Sequence, residues 1–210
     1  MLNVRVIFAK TGNVRYISHL DLSRTMTRAL RRTDLPVWYT EGFNRHPYVT
    51  FAAPLSLGYE GLQEAMDFRL EQDDYPLEQV CPQLNAVLPD GLQALSAAPA
   101  LAKPGDVAFA VYRLYLSCPD GLVEQLLAQP EITAEKRTKS GTMKTLDIKP
   151  YVQQMRRGDG CWEAVLPISS ENSVNPSLLL QALQRLQPDV PLSARVVRQQ
   201  ILDREGRPFR

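Results

Sequence analysis

SHLDLSRTMTRALRR (residues 18–32), set between LNVRVIF (residues 2–8) and PVWYT (residues 36–40), decides the fold. Apolar residues alternate in the two flanking runs, the period of strands with one buried face, whereas the middle run repeats at helical spacing. On a 3.6-residue wheel Leu22, Met26, Ala29 and Leu30 form one apolar stripe, and Arg24, Arg28, Arg31 and Arg32 fall opposite it. Ser18 followed by Asp21 resembles a capping box that starts the helix near His19. A strand, an amphipathic helix and a second strand therefore open the chain.

Further along, strands are expected at residues 48–53 and 65–71, a helix near residues 76–88 and a strand near residues 92–97. SAAPALAKPGD (residues 96–106) has linker composition. A second series follows: VAFAVYRLYLSC as a strand, GLVEQLLAQ as a helix, ITAEKRT and TMKTLDI as a hairpin turning at Ser140 and Gly141, CWEAVLPIS as a strand, PSLLLQALQRL as a helix and ARVVRQQILD as a last strand. Both halves repeat strand, helix, strands, helix, strand. The fold class expected is α+β, two tandem ferredoxin-like (split βαβ) domains with antiparallel sheets, over residues 1–98 and 106–210.

The composition is that of a globular chain, 44% hydrophobic and 22% charged. MLNVRVIFAK is too charged for a secretory core, and no apolar run reaches the roughly 18 residues of a membrane helix, which places the chain in the cytoplasm and away from membranes. Cys81, Cys118 and Cys161 lie about forty residues apart with no CxxC, so neither a metal site nor a disulfide framework is expected. The net charge of +1 hides a segregation. Eight Lys/Arg face three acids in residues 1–50, seven face two in residues 132–157 and five face two in residues 194–210, while residues 60–125 hold eleven acids and three bases. Basic segments of this kind fold either into a polyanion-binding face or into ordinary solvated charge.

Candidate functional residues fall in three segments. Arg15, Ser18, His19 and Asp21 gather at the helix N-terminus, where a phosphate can bind, or where Ser18 and Asp21 only cap. YTEGFNRHP (residues 39–47) supplies Tyr39, Glu41, Phe43, Asn44, Arg45 and His46; Gly42, Asn44 and Pro47 answer to backbone geometry, leaving a polar and aromatic set suited to a flat anionic ligand. Lys136, Arg137, Lys139, Lys144 and Lys149 surround the hairpin tip, either to hold a nucleic-acid backbone together with Arg24 and Arg28 or to protect a sheet edge. RVVRQQILDREGRPFR adds five arginines on a terminus expected to fray. His19 and His46, the chain's two histidines, are candidate acid–base residues with Asp21 as orienter, and the two motif segments are expected to converge on one ligand. Walker, GxGxxG, GxSxG, HExxH and CxxxCxxC motifs are all missing.

RYISHLDLSRTMTRALRR followed by LPVWYTEGFNRHPYVTFAAPLSLGYEG resembles the bacterial radical-SAM-linked domain of unknown function, which is fused to or encoded beside B12-binding-type radical SAM proteins and often lies near an E/G-type ribonuclease. The resemblance is closest over residues 12–70 and continues through EKRTKSGTMKTLDIKPYV. The family's recurring positions fall on Arg15, Ser18, His19, Leu20 and Asp21, on Glu41, Gly42, Phe43, Asn44, His46 and Pro47, and on Phe51, Pro54, Leu55 and Gly58; Arg45 stands where the family has proline. It implies a radical SAM partner that uses SAM and an iron–sulfur cluster, with or without cobalamin, no cofactor in this chain, and an RNA setting rather than DNA. With the basic segments, this leads to an RNA-binding accessory subunit presenting tRNA or rRNA to a radical SAM modification enzyme. The alternatives are a protein–protein adaptor that never meets RNA, and an RNA endonuclease or RNA-modifying enzyme that uses His19 or His46.

Overall fold

The protein is described from a computed structural model, over residues 1–137, 141–169 and 173–210. It is a mixed α+β chain with mostly antiparallel strand pairing and few helices. The strands are β1 (Leu2–Lys10), β2 (Thr50–Phe51), β3 (Glu60–Leu70), β4 (Leu92–Pro99), β5 (Val107–Ser117), β6 (Thr133–Arg137), β7 (Met143–Asp147), β8 (Arg156–Arg157), β9 (Trp162–Pro167) and β10 (Ser193–Asp203). The helices are α1 (His19–Arg31), α2 (Val80–Asn85), α3 (Leu122–Leu127), α4 (Lys149–Val152) and α5 (Pro176–Leu186). Two compact units result: Met1–Ala108 with Arg198–Arg210, and Phe109–Val197.

In the first unit β1 lies between β4 and β3 in antiparallel register, Val4 opposite Phe68 and Val6 opposite Met66. The far half of β3 takes β2, and the other neighbour of β3 is β10. Val4, Val6 and Phe8 of β1 and Met66, Phe68 and Leu70 of β3 turn one face inward, as period-2 alternation requires. Against that face pack Leu22, Met26, Ala29 and Leu30 of α1 and Val80 and Leu84 of α2. The apolar stripe of α1 is therefore the buried one, and its arginines face solvent. Pro82 within α2 sits in the first turn, where its missing N–H costs no helical hydrogen bond, and the residues just before form a separate 3-10 turn, Leu77–Gln79. PVWYT makes only isolated bridges, Val37 to Leu70 and Tyr39 to Pro47, rather than a full strand.

In the second unit β9 lies between β5 and β8, all antiparallel, and β6 pairs with β7 as a separate two-stranded sheet. Leu114, Leu122, Leu126, Ala164, Leu179 and Leu183 are buried there.

The last strand differs from the expectation in a way that bears on the site. β10 begins in the second unit, but from Arg198 onward the chain belongs to the first. The C-terminal residues do not fray: Phe209 is buried, and Arg5 stacks on its ring at 4.0 Å while donating to the main-chain oxygen of Arg210 at 3.0 Å. Buried Arg5 also makes a two-pronged pair with Asp67, at 2.8 and 2.7 Å. Of the terminal arginines counted as free surface charge, Arg198 is buried and Arg207 pairs with Asp203 at 2.9 Å.

Candidate functional site

A 3-10 turn, Gly12–Tyr16, leads from β1 into Ser18, the N-cap of α1. The Ser18 hydroxyl accepts the Asp21 amide at 3.1 Å and donates to the Asp21 carboxylate at 2.7 Å; Arg24 pairs with that carboxylate at 3.3 Å. The Ser18 hydroxyl, and to a smaller extent Arg24, hold the Asp21 carboxyl below the usual carboxylate range. Asp21 is thus a capping residue, engaged by Ser18 and Arg24 rather than set to orient His19. The His19 ring instead lies edge-on to Phe51 of β2, centroids 5.1 Å apart, and Phe51 meets Phe8 of the core in the same way at 6.0 Å. Partial burial, and then the nearby charge of Lys10, push His19 below the ordinary histidine value.

Beneath this turn lies a cluster of charged side chains out of water. Lys10, at the end of β1 and 1% exposed, donates to the Arg15 carbonyl at 3.1 Å. Burial lowers its pKa; the Glu64 carboxylate opposes that shift and Arg198 adds to it. Glu64 and Arg198, 3% and 2% exposed, form a two-pronged ion pair whose Nε contact is 2.8 Å. Arg198 also donates to the Ala53 and Pro54 carbonyls at 2.8 and 3.3 Å, fixing the segment that follows β2. Arg15 pairs with buried Glu60 at 3.2 Å and lies over the Tyr16 ring, while its own carbonyl accepts the Gly58 amide at 2.9 Å. The Arg15 Nε is buried without a hydrogen-bond partner among the described residues. Three cations and two carboxylates therefore underlie the start of α1, beside a histidine held toward its neutral form. Such a histidine is mostly neutral at neutral pH, where its free ring nitrogen can accept a proton.

Sequence reasoning named Arg15 and His19 but missed Lys10, Glu60, Glu64 and Arg198. A signal existed for two of these. Lys10 continues the inward alternation Val4, Val6, Phe8, and Glu64 precedes Met66, Phe68 and Leu70 on the inward face of β3. Charges at positions reserved for apolar side chains are buried and must be paired.

The 39–47 segment sits elsewhere. Its loop is closed by the Thr40 amide to the His46 carbonyl at 2.9 Å, by the His46 amide to the Thr40 hydroxyl at 3.2 Å, and by contact of the His46 Nδ1 with the Asn44 carbonyl at 2.7 Å. Gly42 takes a φ of 106°, which a side chain would strain. Arg31, the last residue of α1, donates to the Arg45 carbonyl at 3.1 Å. Glu41, Asn44, Arg45 and His46 are exposed, Tyr39 packs partly against the core, and the Phe43 ring has no cover at all, with a relative exposure of 109%. The expected convergence of the two segments does not occur. His19 begins a 13-residue helix and the loop is tied to its other end, and such a helix rises about 18 Å from first to last residue. His19 and His46 are therefore not neighbours that could work as an acid–base pair.

The remaining basic candidates divide between the units. Arg28 is exposed, and no hydrogen bond or ion pair engages it among the described residues. In the second unit, Lys136 donates to the Ser173 carbonyl at 2.6 Å, Arg137 is exposed opposite Met143, and Lys149 reaches the Leu127 and Gln129 carbonyls at the end of α3. Lys139 lies outside the described residues. Among the described residues no group of three His, Cys, Asp or Glu side chains is placed to hold a metal ion, and no helix is long and apolar enough to cross a membrane.

Residues 3–176 match a family model described as an uncharacterized protein conserved in bacteria (DUF2344). No curated protein matches the chain.

Proposed function

The chain belongs to the DUF2344 family of bacterial proteins, and we propose that it acts as an RNA-binding accessory subunit, presenting tRNA or rRNA to a radical SAM modification enzyme. The observation that carries this reading is the uncovered Phe43 ring on a loop whose shape is set by backbone and His46 hydrogen bonds, so that the ring takes no part in holding the fold. Beside it, Arg24, Arg28 and Arg31 form one solvent-facing stripe of α1, about 10 Å long from its 1.5 Å rise per residue, and the loop is tied to the stripe's last member. An exposed aromatic at the end of a row of guanidinium groups suits single-stranded RNA, whose bases stack on aromatic faces and whose phosphates are neutralised by arginine. The hard chemistry belongs to the partner, through its SAM and iron–sulfur cluster, with or without cobalamin. The proposal includes two ferredoxin-like domains; in the first unit the order β1, α1, β2, β3, α2, β4, with β1 beside β3 and both helices on one face, supports it.

Filter binding of tRNA and rRNA fragments over a salt series tests the reading. Affinity should fall steeply with salt, Arg28→Ala should lower the slope by about 1, and Phe43→Ala should weaken binding by about 1–3 kcal/mol. Binding that is negligible at low salt contradicts it. Co-purification of the partner that survives high salt and nuclease, yet is lost in Phe43→Ala, points instead to an adaptor.

A further inference from the structure

On the face of the first unit's sheet that carries no helix, a cavity of about 350 Å³ opens beside Tyr48, Thr50, Arg69 and Lys103. The Arg69 guanidinium lies over two rings, 5.3 Å from the Trp38 centroid and 5.4 Å from that of Tyr48, and its Nε donates to the Asn3 side chain at 3.1 Å. These contacts fix its plane but leave both Nη groups without a partner among the described residues. A guanidinium held in this way is a preformed fork for phosphate or carboxylate, and little freedom is lost when it binds one. Lys103 adds a second cation at the same cavity, with no ion pair among the described residues. The one carboxylate lining it, Asp67, has both oxygens bonded to Arg5, so it does not repel an anion strongly. Tyr48 is 46% exposed, leaving ring surface for stacking, and the Thr50 hydroxyl lies alongside. The volume is at the small end of the range for ligand sites.

We propose that this cavity binds one nucleoside monophosphate, its phosphate on Arg69 and Lys103 and its base against Tyr48, either free or as the phosphorylated end of an RNA strand. The choice of nucleotide as ligand class rests on the RNA-binding reading; the site itself is separate from Phe43 and the α1 stripe.

Calorimetric titration of the full chain with AMP tests it, beside adenosine, inorganic phosphate and a 5′-phosphorylated pentaadenylate. AMP should bind, with adenosine and phosphate each weaker by about tenfold or more. Arg69→Lys, which keeps charge but loses the fork, should cost AMP about tenfold, and Tyr48→Ala a comparable loss. Lys103→Gln, on a surface segment, should weaken binding severalfold without touching the fold. Pentaadenylate binding tighter than AMP identifies a strand end as the source, and equal affinity identifies the free nucleotide. No binding of AMP or pentaadenylate at millimolar concentration, phosphate binding as well as AMP, or AMP binding indifferent to Lys103→Gln and to a folded Arg69→Lys overturns the proposal. AMP bound without tRNA affinity refutes only the RNA-binding reading, and tRNA bound at Phe43 without AMP affinity refutes only this site.

Discussion

Replacing Glu64 by glutamine should destabilise the first unit by about 3–5 kcal/mol, the cost of breaking a buried ion pair from one side. The surroundings place the effect at the upper part of that range. Arg198 is 2% exposed, and the acceptors it keeps without the Glu64 charge include the neutral carbonyls of Ala53 and Pro54. Lys10 is buried near the same carboxylate, which is the main influence keeping its charge, so a second cation is left uncompensated. Glu60 cannot substitute, because it is engaged by Arg15. For a chain of this size, 3–5 kcal/mol corresponds to a fall in melting temperature of about 6–20 °C. Urea unfolding followed by circular dichroism would measure it. Glu64→Leu combined with Arg198→Met removes both charges and should recover at least half of the loss, since apolar replacement of a whole buried pair is often neutral. A Glu64→Gln loss below about 1 kcal/mol, or a double variant no better than the single, would refute the account of this cluster.

Four further outcomes follow from the structure. Gly61→Ala should cost about 1–3 kcal/mol, because a Cβ there would stand 2.6 Å from the Glu64 Cγ and displace the carboxylate from Arg198; equilibrium unfolding checks it. His19 titrates below its ordinary value near 6.5, so the unfolded chain binds more protons in that window: stability should be full above pH 6.5 and decline as pH falls through the folded value. Lys10→Met removes the neighbouring charge and should raise the His19 pKa, measured by NMR in a His46→Gln background; an unchanged titration would contradict the coupling. Phe43→Ala should leave unfolding stability within about 0.5 kcal/mol, since the ring touches nothing that folds.

Local order was legible wherever one period and one cap settled it. Helix α1 begins at His19 and buries the stripe Leu22, Met26, Ala29 and Leu30 that its wheel indicates, with Ser18 as the cap. The β6 and β7 strands pair on either side of the expected turn, though residues 138–140 lie outside the described residues. What was not legible depends on contacts between residues distant in sequence. Nothing near Arg198 says that its partner is Glu64, 134 residues earlier, and a terminal run of arginines reads as surface charge until that pair is seen. The Glu60 start of β3 was hidden because Glu60 and Glu64 look like surface residues unless the parity of Met66, Phe68 and Leu70 is carried backward. Local spacing also gave no hint that α1 would hold His19 and His46 apart. The same helix whose sequence was easiest to read is the element that separates them.

Ultraviolet cross-linking of tRNA to the full chain, followed by tryptic digestion and mass spectrometry, tests the central claim most directly. The account predicts a nucleotide adduct on the peptide TDLPVWYTEGFNR, residues 33–45, centred on Phe43 and lost at high salt. Adducts confined to Phe109–Val197, or none at low salt, would contradict it.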